Sequence, residues 1–382
     1  MTVEFVSQVF VRDSSELHPK PGSDIDREFL RRYAAALEEA GFDYTLVPYN
    51  SRAFSALGVA DALSQFTERI GLIVALRPNL LHPTAAAQAL ATLDQLSGGR
   101  ALVHFISGGN QAEQARQGDF LSKADRYART AEYIQIIRTA WSQTEPFSHQ
   151  GRFFEFRDFF AELKPVNGTI PVSFGGSSPE AYRVGGALAD IYGLWGEPLA
   201  QTAEQIASIR AGAQAAGRDG IPRIWVTFRP IIAPTEEQAW EKAHTVLAAL
   251  RARHAGTAFA RPENAGSQRL LAAAAAGELH DRALWTPVAA ATNAAGASTA
   301  LVGTPETVAQ AILDYVDLGA SIVSIRGYDN LNDVVDYGRH LLPLLREELA
   351  RRGDAPLIPS RPAVLDPSSI RRPAAAPVAP RA

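Results

Sequence analysis

Ile70-Gly71-Leu72-Ile73-Val74-Ala75-Leu76-Arg77-Pro78 is an apolar, β-branched run of strand length. A stretch of helix formers from Pro83 to Leu96 follows it, closed by Gly98-Gly99, and a second short apolar run, Ala101 to Ile106, comes next. A strand, a helix and a strand in that order imply parallel pairing, because the crossover returns the chain to the same end of the sheet. The same unit recurs on both sides. Upstream, strands are expected at Val3 to Val11 and Tyr44 to Tyr49, with helices at Arg27 to Ala40 and Ser55 to Phe66. Gly41 stands where a helix end calls for positive φ. Downstream, strands are expected at Pro171 to Gly175, Asp190 to Trp195, Arg223 to Ile232 and Ser321 to Arg326. Helices are expected at Arg126 to Trp141, Ser178 to Leu188, Thr202 to Ala216, Glu236 to Arg253, Pro305 to Leu318 and Leu331 to Ala350.

Eight such units in 382 residues point to an α/β protein, a (β/α)8 TIM barrel with insertions, although a doubly wound sheet would show the same local pattern. One barrel domain is expected over residues 1–353, with insertions near 143–170 and 255–298. The first holds an aromatic segment, Gly151 to Arg157, that reads as a hairpin; the second is rich in Ala, Gly and Asn and reads as a long functional loop. Residues 354–382, dense in Pro, Ala and Arg, read as a tail or as an arm on another subunit.

Composition removes several functions. A net charge of -4 offers no field for a polyanion, so nucleic acid is not an expected partner. The absence of cysteine excludes thiolate chemistry and disulfides. The eight histidines show no His-Glu-x-x-His pattern, so no metal site is expected. Neither a Gly-x-Gly-x-x-Gly after a strand nor a P-loop occurs. With no signal-peptide pattern and no bilayer-length apolar run, a cytoplasmic protein without membrane contact is expected.

In a barrel the reacting groups sit at the carboxyl ends of the strands. The sharpest candidate there is Phe174-Gly175-Gly176-Ser177-Ser178-Pro179-Glu180, where glycines allow close approach and the following helix start offers N–H donors to a phosphate. The same residues also make an ordinary turn with a Ser cap and Pro at the first helical position. Ser107-Gly108-Gly109-Asn110 is a second small-residue strand end, and Lys123 and Tyr127 open a helix with a cation and a phenol. His104 falls inside a strand, either as a core histidine or as a ligand contact. Arg229 and Arg326, each near a strand end, are candidates for gripping an anionic group; ordinary ion pairs are the alternative in a chain so rich in Arg.

Taken in order, these motifs resemble the bacterial-luciferase-like flavin monooxygenases, and among them the alkanesulfonate monooxygenases. The resemblance rests on Val74 to Pro78, Pro83-Thr84-Ala85-Ala86, Ala91 to Ala101, Arg126-Tyr127 with Glu132-Tyr133, and Phe174 to Ser178. It continues through Trp195-Gly196-Glu197-Pro198, Thr299-Ala300-Leu301-Val302-Gly303 and Gly327-Tyr328, covering most of residues 40–345. It implies a barrel that takes FMN as FMNH2 from a separate NAD(P)H-dependent flavin reductase and uses O2 to oxidise a small organic substrate. An alkanesulfonate, split to aldehyde and sulfite, is the first candidate. A sulfone, an alkane, an aminocarboxylate or a sulfur heterocycle, or a flavin-binding barrel without catalysis, are the others. By position it assigns Gly175, Gly176, Ser177, Ser178 and Tyr127 to the FMN phosphate, Leu76 and Ser107 to the isoalloxazine, and Trp195 and Tyr328 to the substrate side. It further implies a homo-oligomer, dimer or tetramer.

The departures fall on the substrate side. Ala53 stands where the alkanesulfonate enzymes carry a cysteine, and Thr227 and Arg229 where they carry an arginine and a histidine. Asn293-Ala294 lies where a mobile-loop arginine is found, and Lys123 replaces a histidine.

Overall fold

The computed structural model of the chain describes residues 3–296 and 298–353; the expected tail at 354–382 lies outside the described residues. The chain alternates β1 (Glu4–Gln8), α1 (Arg27–Glu39), β2 (Tyr44–Val47), α2 (Ala56–Phe66), β3 (Gly71–Leu76), α3 (Pro83–Leu96) and β4 (Ala101–Phe105). A short α4 (Gln111–Ala115), a long α5 (Lys123–Ser142) and an antiparallel hairpin, β5 (Phe147–Gln150) with β6 (Glu155–Phe159), come next. Alternation resumes with β7 (Val172–Gly175), α6 (Pro179–Leu188), β8 (Ile191–Trp195), α7 (Leu199–Ala215), β9 (Arg223–Ile232) and α8 (Glu236–Arg253). An excursion then runs through α9 (Ala265–Ala276), β10 (Leu279–His280), β11 (Leu284–Trp285), α10 (Pro287–Ala291), β12 (Ala300–Gly303) and α11 (Pro305–Asp317). The last described elements are β13 (Ala320–Ile325), α12 (Asn330–Asp336), a π-helical turn (Tyr337–Leu341) and α13 (Leu342–Arg351).

Eight strands close a parallel ring in the order β1, β2, β3, β4, β7, β8, β9, β13, with β13 returning to β1. A doubly wound sheet would keep two open edges; this ring has none, so the fold is the (β/α)8 barrel. All eight expected strands are in it. The interior is filled by Val6, Ile73, Leu102, Ile191, Trp225 and Ile322, while the alternate residues of the same strands, such as Leu72, Val74 and Phe105, pack beneath the helices.

Local chemistry fixes where helices start. Asp26 accepts from the Phe29 N–H, Ser122 from Asp125 and Ser178 from Ala181, each cap contributing about 1 kcal/mol. Gly41 takes φ +85° at the end of α1, as its position requires.

Three expectations change. The stretch 255–298 carries two helices and a small hairpin, and β12 beyond it adds to β9 outside the ring. The expected helix at Leu331 to Ala350 is broken by the π turn, where the Tyr337 hydroxyl donates to Pro230 O at 2.6 Å. The inserted hairpin is longer than Gly151 to Arg157, its two strands running from Phe147 to Phe159 and including the end of that segment. Among the described residues no helix is long and apolar enough to cross a membrane.

Candidate active site

At the carboxyl ends of the ring strands lies a cavity of about 470 Å³. Its depth is set by His104 on β4 and Trp225 on β9, whose rings meet edge to face with centroids 5.5 Å apart. Gly193 borders both rings, a Cβ there falling at ordinary contact distance, 3.6 Å from His104 Cε1 and 3.7 Å from Trp225 Cε3. His104 Nδ1 lies 2.9 Å from Ser173 Oγ, and burial pushes its pKa down to about 4, so the ring is neutral near pH 7. Of the two readings of His104 from sequence, the structure supports both parts, a hydrogen-bonded interior ring that also borders the cavity.

One wall is the turn from β7 into α6. Gly175, Gly176, Ser177 and Ser178 all line the cavity, together with Lys123 and Tyr127 from the start of α5. Gly176 has φ +141°, and a Cβ on it would stand 2.8 Å from Ala181 Cβ and 3.3 Å from the Tyr127 hydroxyl. Tyr192 fixes the turn by donating to Gly176 O at 2.8 Å, and Ser178 Oγ lies 3.5 Å from the Tyr127 hydroxyl. Ser178 does cap α6, so the ordinary role is real. The concave backbone without side chains, the helix N-terminus and the Lys123 ammonium add what a capped turn does not need and a phosphate does. These residues fit the phosphoryl end of FMN.

The remaining wall brings together Ser107, Trp195 and Arg326. Ser107 Oγ shares a 2.9 Å hydrogen bond with Thr130, and its carbonyl accepts from Arg126 Nε. Arg326 donates to Gln8 Oε1 at 3.3 Å. Burial, and then the neighbouring Arg229 charge, pushes its pKa down to about 10, which leaves it a cation at neutral pH.

Leu76, Arg229 and Tyr328 do not line the cavity. Leu76 packs in the layer between strands and helices, and its neighbour Ala75 is the residue that faces inward; the period-2 rule puts adjacent residues on opposite faces. Arg229 is displaced because β9 leaves the ring: up to Phe228 it pairs with β13, and from Arg229 onward it pairs with β12. Its guanidinium donates to the Glu16 carboxylate and to Gly327 O, and lies 3.6 Å above the centre of the Tyr328 ring. The two residues therefore meet each other beside the rim.

Sequence reasoning missed several contributors. Gln8, Ser324 and Thr227 face inward by alternation from Val6, Ile322 and Trp225. Asn264, Ala265, Gly266 and Gly296 bring the excursion over the cavity as a roof. The start of α9 at an Asn cap was a readable signal for that roof. It is fastened by Arg269 Nε, 2.9 Å from both carboxylate oxygens of the buried Glu197, and by the Gln111 N–H, which donates to Glu263 at 2.8 Å.

A sequence model of luciferase-like monooxygenases matches residues 3–321. Among solved structures, a riboflavin lyase with modified FMN and substrate riboflavin superposes with a TM-score of 0.76 at 22% identity, over 93% of each chain. EDTA monooxygenase from Chelativorans sp. BNC1 does so at 0.73 and 18%, covering 93% of this chain and 95% of that one. A long-chain alkane monooxygenase gives 0.73 and 17%, over 94% and 93%. Barrel, cavity and family match together define a flavin-dependent monooxygenase. The chain belongs to the luciferase-like monooxygenase family.

Proposed function

We propose that the protein is the oxygenase of a two-component system, receiving FMNH2 from a separate NAD(P)H-dependent flavin reductase. Its substrate in this reading is an organosulfur anion, first of all an alkanesulfonate, which leaves as aldehyde and sulfite. The observation that carries it is the pairing of two sites in one cavity: the Gly175–Ser178 turn with Lys123, and the half-buried Arg326 three strands further round the ring.

When bound, the reduced flavin supplies two electrons to O2, so that one oxygen atom enters the substrate and the other leaves as water. The chain's own groups bind and shield. The backbone of Gly175 and Gly176, Ser177, Ser178, Tyr127 and Lys123 hold the phosphate, while Ser107 borders the ring system. Arg326 grips the sulfonate by its guanidinium fork, oriented by Gln8. Trp195 and the roof residues Asn264 to Gly266 keep water out, which strengthens each charge interaction inside. A cytoplasmic homodimer or homotetramer belongs to the same reading.

The test supplies the protein with a flavin reductase, NADH, FMN and a panel of organosulfur compounds. Sulfite above the no-protein control is expected. An oxidised product without sulfite moves the substrate to a sulfone, an alkane, an aminocarboxylate or a sulfur heterocycle, and no product at all leaves a flavin-binding barrel without catalysis.

A further inference from the structure

The segment between β1 and α1 crosses the rim of the barrel, and Glu16 on it reaches over to Arg229. The two partners are unequally placed. The Arg229 side chain is 4% exposed, that of Glu16 37%, so solvent reaches the carboxylate but not the cation. Arg229 is also incompletely used. One terminal nitrogen serves both Glu16 and Gly327 O, whereas Nε is buried with no partner among the described residues. The hydroxyl of Tyr328, whose ring lies under the guanidinium, is likewise buried without a partner. Two buried donors thus lie unpaired beside the ion pair.

The pair adjoins the cavity. Arg229 is two residues beyond Thr227 on β9, and the Gly327 carbonyl it holds follows Arg326; both Thr227 and Arg326 line the cavity. Glu16 acts on both arginines: burial opposes its ionisation, and Arg229 and then Arg326 hold its pKa below the usual carboxylate range. A sulfonate arriving at Arg326 therefore meets the negative charge of Glu16, and behind that carboxylate Arg229 Nε and the Tyr328 hydroxyl lie buried and unpaired.

We infer that Glu16 is a stand-in for the anionic group of the substrate: it occupies Arg229 in the free protein, and an arriving anion displaces it and releases the β1–α1 segment. This rests on the anionic substrate proposed above, and it makes Glu16 a specificity-determining residue for charge. A carboxylate on the rim weakens every anion by the cost of its own displacement and leaves uncharged ligands unaffected.

The probes are octanesulfonate and, as an uncharged counterpart, octanol, each titrated calorimetrically into the full chain. Glu16→Gln keeps the shape and removes the charge. It is expected to bind octanesulfonate at least about fivefold more tightly than the wild type, in the range usual for coupled sites, with octanol unchanged; Glu16→Asp stays near wild type. In the wild type, hydrogen exchange over residues 12–25 is expected to rise with octanesulfonate and not with octanol, a change that a merely structural ion pair would not give and that needs no variant. Equal octanesulfonate affinity in wild type and Glu16→Gln, or unchanged exchange when the anion is bound, overturns the stand-in alone. No anion binding to either protein overturns the anionic-substrate reading, and this inference with it.

Discussion

Gly266 of α9 lies against the indole of Trp195 so closely that a Cβ on it would fall 2.8 Å from Cε3 and Cζ3 of that ring. The contact joins the roof to a cavity-lining residue, so a single methyl group at 266 has to push the indole inward or lift α9. Gly266→Ala is expected to lower kcat/KM by about tenfold or more, while overpacking lowers stability by only about 1–3 kcal/mol. Steady-state turnover with the reductase, alongside urea unfolding, separates the two; unchanged turnover would show that the roof does not position Trp195.

The Gly175–Ser178 turn predicts a split between two flavins. In Gly176→Ala the new Cβ meets Ala181 and the Tyr127 hydroxyl on a backbone at positive φ. Affinity for reduced FMN is expected to fall at least about tenfold, or about 1.4 kcal/mol, while that for reduced riboflavin, which has no phosphate, changes little. Anaerobic titration reads both, and equal losses would place the phosphate elsewhere.

Arg326→Ala is expected to raise KM for anionic substrates by about 2 kcal/mol or more in binding, with little effect on an uncharged substrate. Arg229→Ala should act more weakly, since what an anion gains on that cation is offset by the displacement of Glu16. A KM that is indifferent to substrate charge in the Arg326 variant removes the anion grip.

His104 predicts a pH dependence. Its folded pKa, pushed to about 4 by burial, lies below the ordinary value near 6.5, so between those two pH values the unfolded chain binds the extra proton. Stability is then fully present above about pH 6.5 and falls by up to about 1.4 kcal/mol per unit as pH drops towards 4. His104→Asn should flatten that limb. A parallel fall in both proteins, followed by thermal unfolding across the range, would assign the slope to other groups.

Away from the cavity, Arg100 ties the end of α2 to the starts of β3 and β4. Its guanidinium donates to Ser97 O at 2.7 Å, to Thr67 Oγ1 and Ile70 O at 2.8 Å, to Thr67 O at 2.9 Å and to Ser64 O at 3.2 Å. Arg100→Ala strands several buried carbonyls and is expected to cost at least about 3 kcal/mol, read as a lower urea midpoint, with flavin affinity of the folded protein unchanged.

The ring was legible because each strand is a short apolar run followed by a helix of the right period, as Gly71–Leu76 and Pro83–Leu96 show. Which face of a strand looks inward was not. β3 is buried along its whole length, and a strand covered on both sides carries no alternation to read, so nothing in the run itself corrects the resemblance, which places Leu76 by the isoalloxazine where Ala75 lines the cavity. The Gly175–Ser178 turn was visible from its glycines and cap, since those needs are local. Arg229 was visible as a strand-end cation, but its displacement depends on β9 taking β12 as a new neighbour. Glu16 left no trace, because its meaning arises from a partner 213 positions away. The alanine-rich excursion concealed α9 and α10 because small residues pack closely without marking a face.

β9 runs for ten residues because it serves two structures, the ring as far as Phe228 and the outer sheet from Arg229 onward. Cover and vessel are thus one continuous piece of backbone along that side, like a jar whose lid is cast onto one stave. The roof is seamed to the barrel along β9 through β12, and elsewhere it is tied down by the Arg269–Glu197 ion pair and the Gln111–Glu263 hydrogen bond.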